Sequence, residues 1–98
     1  MSLTIKFERV ARDDVIAACA WYEERRRGLG IDLMMEIDRC VSLAAAHPSA
    51  CEIVHKDIRR MVTRRFPYLI YFRTEPKQLR VLAVFHARRD PKRLHGRV

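Results

Sequence analysis

The most constraining feature of this chain is the run at residues 66–73, Phe-Pro-Tyr-Leu-Ile-Tyr-Phe-Arg, in which aromatic and aliphatic side chains are nearly continuous. A short and almost uninterrupted apolar run is typical of a strand in the middle of a sheet. Pro67 has no backbone N–H to donate, so it is tolerated only near the start of that strand. The run therefore predicts a β-sheet. The rest of the chain must supply the other strands of that sheet and the elements that cover it.

Three further segments have the composition of strands. Residues 4–10 alternate in part between apolar and charged side chains, which predicts a short strand. Residues 58–65 are β-compatible but half basic, as in a strand with one face in water. Residues 79–86 form a second apolar run after a turn at residues 74–78. We expect the late strands to be joined as antiparallel hairpins.

Two helices are predicted between the first strand and the late ones. Asp13 and Asp14 mark the expected start of the first helix, because carboxylates suit the free N–H groups and the positive end of the helix dipole. This helix runs to about residue 27, and Gly28 and Gly30 supply the turn to a second helix at about residues 31–47. Each helix has an apolar stripe at helical spacing: Val15, Ala18, Cys19 and Tyr22 on the first, and Met34, Ile37, Val41 and Ala44, widened by Leu33 and Cys40, on the second.

Neither helix can bury its stripe alone, so the helical hairpin needs the sheet as its partner. The predicted fold is therefore α+β, in the order β-α-α-β-β-β, with the hairpin packed on a small, largely antiparallel sheet. A chain of 98 residues allows one domain, residues 1–98, and we expect a short basic tail at about residues 91–98.

Charge is divided unevenly between the two halves of the chain. Residues 1–55 carry seven Lys/Arg against nine Asp/Glu, whereas residues 56–98 carry thirteen against three. The excess of +10 thus falls on the segment predicted to form the sheet. A sheet with arginines along it predicts an anionic partner. That partner is a nucleic acid, a protein complex that acts on nucleic acid, or an acidic protein.

Composition also argues against several classes of protein. No apolar run reaches the ~18 residues that a membrane span needs, and residues 1–10 lack the apolar core of a signal peptide. Three cysteines without CxxC spacing argue against a disulfide framework. We therefore expect a cytoplasmic protein without a membrane partner. We also expect no metal or cofactor, because the one conceivable ligand set has spacings that match no common zinc site: Cys40, His47, Cys51 and His55.

Six short motifs follow one another along residues 10–91. The two most specific are the strand sequence Arg65-Phe-Pro-Tyr-Leu-Ile-Tyr71 and the end of the last strand, His86-Ala-Arg-Arg-Asp-Pro91. The other four are Tyr22-Glu-Glu-Arg25, Gly28-Leu-Gly30, His47-Pro48 and Ile58-Arg-Arg60. In order and spacing this set resembles the ParE branch of the RelE/ParE toxin superfamily.

The resemblance implies the same β-α-α-β-β-β fold and a role as the toxin of a type II toxin–antitoxin module, also called a plasmid stabilisation protein. It further implies neutralisation by a small antitoxin whose C-terminal segment wraps the toxin. The ParE branch is associated with inhibition of DNA gyrase, and the RelE branch with ribosome-dependent cleavage of mRNA. A third alternative is a degenerate relative that is not toxic and only binds.

Contact with the target is predicted to fall to the basic side chains, which the sequence does not interleave with acids as a solubilising surface would. We expect one of Arg59 and Arg60 to be partly buried and paired, with Asp90 or Glu36 as its partner, and the other to be exposed. The full predicted target-binding set is Arg59, Arg60, Arg65, Arg73, Arg80, Arg88, Arg89, Lys92 and Arg93.

Catalysis has weaker support in the sequence. Cleavage of RNA needs a base, an acid and cations on the phosphate. His86 is the one candidate acid or base, and it equally has a structural interpretation as a residue that bonds a backbone carbonyl. His95 falls in a tail expected to be frayed, and Tyr68 and Tyr71 are more typical of core positions. The sequence therefore favours a toxin that acts by binding over a ribonuclease.

The first helix has one aromatic residue outside its stripe. Trp21 is expected either to be exposed, which marks an interaction surface, or to pack under the second helix. If it is exposed, we expect Trp21 and Tyr22 to contact the antitoxin or a second copy in a homodimer. The docking segment of the antitoxin should be acidic and should bind as a strand at a sheet edge or as a helix in a groove, giving a toxin–antitoxin hetero-oligomer.

Overall fold

The computed structural model describes residues 2–97, and Met1 and Val98, the last residue of the predicted tail, lie outside the described residues. Its elements confirm the α+β fold and the helical hairpin, and they add one short strand, β2, to the predicted order. In chain order they are β1 (Thr4–Phe7), α1 (Arg9–Arg25), α2 (Leu29–Ala46), a 3-10 helix (Pro48–Ala50), β2 (Glu52–His55), β3 (Ile58–Val62), β4 (Tyr68–Thr74), β5 (Gln78–His86) and a second 3-10 helix (Pro91–Arg97).

The five strands form one sheet in the order β1-β5-β4-β3-β2. β1 pairs in parallel with β5, and every other pair is antiparallel, which confirms the predicted late hairpins. The central strand is β4, as the apolar run at residues 66–73 predicts. It begins at Tyr68, immediately after Pro67, because proline cannot donate to the ladder.

The first helix begins at Arg9, four residues earlier than predicted. Asp13 and Asp14 therefore lie in its second turn and do not cap it. Asp14 instead has a tertiary role, since one of its carboxylate oxygens accepts a hydrogen bond of 2.9 Å from the backbone N–H of Val84 on β5. The two carboxylates were interpreted from the sequence as a helix cap, whereas Asp14 in the structure makes a contact between α1 and the sheet.

The turn between the helices depends on two glycines. Gly28 has a φ of +93°, which L side chains rarely adopt. At Gly30, a Cβ would lie 2.7 Å from the carbonyl oxygen of Cys19, so the two helices approach too closely there for any side chain. The carboxylate of Glu23 accepts hydrogen bonds from both glycine N–H groups at 3.0 Å and fixes the turn.

Both helices pack on one face of the sheet, which we call the inner face. The second helix buries Leu33, Ile37 and Cys40, as its stripe predicts, but Met34 is 53% exposed and its assignment to the core was wrong. Within residues 2–97, neither helix is long and apolar enough to cross a membrane.

The opposite face, the outer face, has an apolar cluster of its own, which includes Ile58, Tyr71 and Phe85. Leu94 covers this cluster and is only 2% exposed. Residues Pro91–Arg97, hereafter the strap, therefore form a docked 3-10 helix, and the prediction of a frayed tail was wrong for the described part. A basic composition suggested solvation, but the burial of Leu94 and the ion pair of Arg97 with Asp14 of α1 hold the segment in place.

Candidate interaction surfaces

The predicted arginines of β4 and β5 lie side by side on the outer face. Arg73 and Arg80 are opposite each other in the β4–β5 ladder, and Lys6 of β1 is opposite Arg80. Like charges in direct register are unfavourable, so the row needs acidic neighbours. Asp57 lies 3.3 Å from Arg73, and Glu75 accepts a hydrogen bond of 3.1 Å from the Nε of Arg80.

Arg59 and Arg60 do not have the partners that we expected. Arg60 forms an ion pair with Glu52 of β2, and Arg59 donates a hydrogen bond of 2.6 Å to the backbone carbonyl of Cys51. Both side chains are half-buried, so neither is the exposed member of the pair. The unpredicted strand β2 explains the difference, because it places Glu52 opposite Arg60 in the ladder.

Glu36, the other expected partner, lies on α2 and binds elsewhere. It receives two hydrogen bonds from Arg39, of 2.8 and 2.9 Å, and one of 2.7 Å from the backbone N–H of Arg64. These bonds, first those from Arg39, lower the pKa of Glu36 to about 2. Glu36 therefore ties the second helix to the β3–β4 turn.

Carboxylates thus interleave with most of the predicted cationic surface. Arg65 lies 3.1 Å from Asp32, and Arg89 lies 4.0 Å from Asp14. The expectation that the sheet arginines are free of acids was wrong. Among residues 2–97, three members of the predicted set are exposed and have no carboxylate within 4 Å: Arg88, Lys92 and Arg93. Within the predicted set, the uncompensated positive charge therefore lies directly after β5.

A pocket of about 500 Å³ lies between α1 and the end of β5, and we call it the aromatic pocket. Its lining contains Trp21, Tyr22, Tyr68, His86 and Arg89, with Asp13, Asp14, Ala17, Ala18 and Val84. It brings together the two predicted partner contacts of α1, the candidate histidine and one predicted arginine. The other predicted arginines lie outside it.

Trp21 is 50% exposed and does not pack under the second helix. The guanidinium of Arg25 lies 3.6 Å from the centre of its ring, a cation–π contact, and the ring meets Tyr22 edge to face at 4.9 Å. Trp21 is thus held in place while half of its surface faces solvent.

His86 and Tyr68 meet edge to face at 5.4 Å in the floor of the aromatic pocket. The Nδ1 of His86 accepts a hydrogen bond of 3.1 Å from the backbone N–H of Arg88, so the neutral ring carries its proton on Nε2. Burial raises the pKa of Tyr68, and its phenol therefore stays protonated at neutral pH. These groups can donate and accept hydrogen bonds, but a paired acid and base is not evident among them.

A second cavity, of about 610 Å³, runs between α1 and α2, and we call it the helix groove. Ile16, Met34 and Met35 are 61%, 53% and 65% exposed on its walls, and Arg12 and Asp38 also line it. This surface was not predicted from the sequence. Met34 and Met35 are adjacent, so both cannot lie on the stripe that Leu33 and Ile37 define, and that was the available signal.

The cysteine and histidine set considered as a zinc site is not assembled. Among residues 2–97, no three His, Cys, Asp or Glu side chains are grouped closely enough to hold a metal ion. His55 of that set instead stacks on His95 of the strap, with ring centres 4.1 Å apart. Cys40 is fully buried, and its burial raises the pKa of its thiol to about 11.

Comparisons with known proteins place the fold. No protein-family model matches the sequence, and no curated protein matches it either. Among solved structures, the chain is similar to one from the chromosomal ParDE TA system of P. aeruginosa, with a TM-score of 0.76 and 17% sequence identity. The similarity covers 87% of this chain and 96% of that one. The resemblance to ParE-like toxins is therefore confirmed at the level of the fold.

Proposed function

We propose that this protein is the toxin of a type II toxin–antitoxin module and that it acts by binding its target. The observation that carries the proposal is the similarity in fold, over nearly the whole of both chains, to a chain of a ParDE TA system. The motif resemblance, from Tyr22-Glu-Glu-Arg25 to His86-Ala-Arg-Arg-Asp-Pro91, supports the same conclusion independently of the fold.

DNA gyrase is the proposed target, as for the ParE branch. The contact surface consists of the exposed cations after β5, Arg88, Lys92 and Arg93, together with Arg89 at the aromatic pocket. Free cations there suit an acidic protein surface or the DNA that gyrase holds. The paired arginines of the sheet contribute less, since their charge is already compensated.

The helix groove is the proposed docking site for the antitoxin. An amphipathic helix binds such a groove through apolar residues on one face, and exposed methionines adapt to the shape of a partner. The net charge of +8 favours an acidic partner, because opposite charge steers association. Trp21 and Tyr22 lie outside this groove, so the proposed antitoxin contact moves from them to Ile16, Met34 and Met35.

The proposal is tested with purified protein, gyrase and relaxed plasmid. We expect inhibition of supercoiling, its relief by the protein encoded in the neighbouring gene, and a loss of inhibition of about tenfold in the double variant R88A/R93A. The matched control is R26A/R27A, which removes two exposed cations at the end of α1. Full supercoiling at saturating protein would contradict gyrase as the target, and equal loss in the control would contradict the cations after β5 as the contact surface.

A second candidate function is ribosome-dependent cleavage of mRNA, and one observation favours it: His86, Tyr68 and Arg89 share the aromatic pocket. His86 would transfer a proton and Arg89 would bind the phosphate. Site-specific cleavage on translating ribosomes that His86→Ala abolishes would establish this function and exclude the first. Normal growth on expression without the antitoxin would instead identify a degenerate binding protein.

A further inference from the structure

The aromatic pocket presents flat apolar surfaces in a protein whose excess charge is positive. Trp21 and Tyr22 stand on one wall, and the buried ring of Tyr68 lies beneath them with its centre 6.2 Å from that of Tyr22. Arg25 lies over the Trp21 ring, yet half of that side chain remains exposed. Exposed aromatic rings held in place by neighbours are a surface on which another flat ring can stack.

The polar groups of the pocket fit the edge of a nucleobase. Asp13 is exposed, and among residues 2–97 no cation lies within 4 Å of its carboxylate, so its oxygens are free to accept hydrogen bonds. His86 directs Nδ1 at the backbone N–H of Arg88, which leaves Nε2 for a ligand. A carboxylate suits the exocyclic amino group of cytosine, adenine or guanine, and an imidazole N–H suits a ring nitrogen or carbonyl oxygen.

Charge around the pocket distinguishes between two classes of occupant. The aromatic walls and Asp13 alone would also suit a lysine or arginine side chain from a partner. However, Arg89 lies in the lining, and Arg88, Lys92 and Arg93 follow within seven residues of His86. These cations repel a basic peptide and attract phosphates. A nucleobase attached to phosphates fits both the aromatic walls of the pocket and the cations beside it.

We propose that the aromatic pocket binds one unpaired, amino-bearing base of a single-stranded nucleic acid, stacked on Trp21, while Arg89 and the cations at residues 88–93 contact the adjacent phosphates. A base inside a duplex does not expose its faces, so the site selects single strands. This inference goes beyond gyrase inhibition and does not depend on it. It gives Trp21, Asp13 and Arg89 a shared role, the binding of one nucleotide.

The test measures anisotropy of fluorescein-labelled 12-nucleotide oligo-dC, oligo-rC and a matched duplex against the full-length protein. We expect the single strands to bind at least tenfold more tightly than the duplex, since only they can offer a base to stack. Trp21→Leu should weaken binding of the single strands about tenfold, as for the loss of one stacked base, and Trp21→Phe should retain most of the affinity. The deoxy and ribo strands distinguish DNA from RNA as the source.

Four further measurements distinguish stacking of a base from other causes of a change in affinity. Trp21 is the only tryptophan, so its emission should be quenched on binding in the unmodified protein. R26A/R27A should bind like the unmodified protein, and thermal melting should show that each variant is folded. Asp13→Ala should lower affinity for oligo-dC but not for oligo-dT, because thymine has no amino group.

Several results would overturn the proposal. Equal binding of duplex and single strand, or unchanged affinity in Trp21→Leu, would show that only backbone phosphates are bound. Tighter binding of an oligolysine peptide than of any oligonucleotide would identify a site for cationic side chains. Failure of gyrase inhibition with intact single-strand binding would leave this inference standing and remove only the proposed target.

Discussion

The two faces of the sheet are covered in very different ways. Among the described residues 2–97, sixteen buried residues form the inner cluster under two helices of 17 and 18 residues, whereas six form the outer cluster under the seven-residue strap. Buried apolar area is the main source of stability, so the inner face should carry most of it. The outer face has few contacts to lose, and its cover can be altered without unfolding the protein.

The cover of the outer face also depends on polar contacts of the strap. Arg97 of the strap forms hydrogen bonds of 2.6 and 3.0 Å with Asp14 and one of 3.2 Å with the carbonyl of Leu82. His95, two residues before Arg97 in the strap, stacks on His55. Directional contacts of this kind make the outer face sensitive to charge and pH.

The largest effect is expected from Phe72→Ala. Phe72 is fully buried in the inner cluster, so its truncation should lower the free energy of unfolding by about 3–5 kcal/mol. Urea denaturation followed by circular dichroism measures the change. Val62→Ala is the control, because Val62 is 56% exposed, and it should change stability by less than about 0.5 kcal/mol.

Leu94→Ala removes the apolar cover of the outer face. We expect a loss of about 2 kcal/mol, at the low end for a buried leucine, because a terminal segment can shift to fill the space. Urea denaturation gives the value, and hydrogen exchange should show that protection falls in the strap but not in α2. A loss equal to that of Phe72→Ala would contradict the division between the two faces.

Arg97→Ala should destabilise the protein by about 1–2 kcal/mol. The variant removes charge-assisted hydrogen bonds to Asp14, whose side chain is 10% exposed, and a cation–π contact with Phe85. Cleavage by trypsin at Lys92 and Arg93 should become faster as the strap opens. Arg93→Lys keeps a tryptic site at the same exposed position and should leave the cleavage rate unchanged.

The smallest expected effect is a response to pH between 7.5 and 5.5. Partial burial, followed by the charges of His95 and Lys56, lowers the pKa of His55 below its usual 6.5. The unfolded chain then takes up the proton first, so the contribution of the stack is present above pH 6.5 and is lost as pH falls through the pKa of the folded state. NMR signals of the strap should broaden or shift at pH 5.5.

His95→Gln should abolish that response, whereas His47→Gln, at an exposed histidine outside the stack, should keep it. Glu36, which ties α2 to the β3–β4 turn, has a pKa of about 2 and stays ionised throughout this range. The inner face should therefore give unchanged signals. A parallel response of both faces would show that the strap does not move independently.

The sequence predicted what depends on local pattern. Apolar runs located β4 and β5, and the Gly28-Leu-Gly30 turn located the hairpin, because these signals lie within the elements themselves. β2 was missed since its four residues are mostly exposed and lack alternation. The start of α1 was misplaced because the carboxylate of Asp14 serves a contact 70 residues away, which no local pattern reveals.

The candidate sites were predicted less well, for the same reason. The basic residues could be identified from the sequence. The compensation of their charge by Glu52, Asp57 and Glu75 could not, because it depends on the register of the sheet. The aromatic pocket combines α1 with the last strand, and only the fold brings Trp21 to His86. Helical spacing indicates only that Met34 and Met35 do not both lie on the stripe, and the exposure of Met34 depends on how the helix is seated on the sheet.

The parallel pairing of β1 with β5 has a consequence for synthesis of the protein. The first strand, at residues 4–7, has no partner until residues 78–81 have been made. During translation, the helical hairpin emerges long before the strand that completes its sheet, and its apolar stripes stay uncovered meanwhile. Completion of the sheet is thus delayed until residues 78–81 have been made, and in that interval a chaperone or a partner can engage the uncovered stripes.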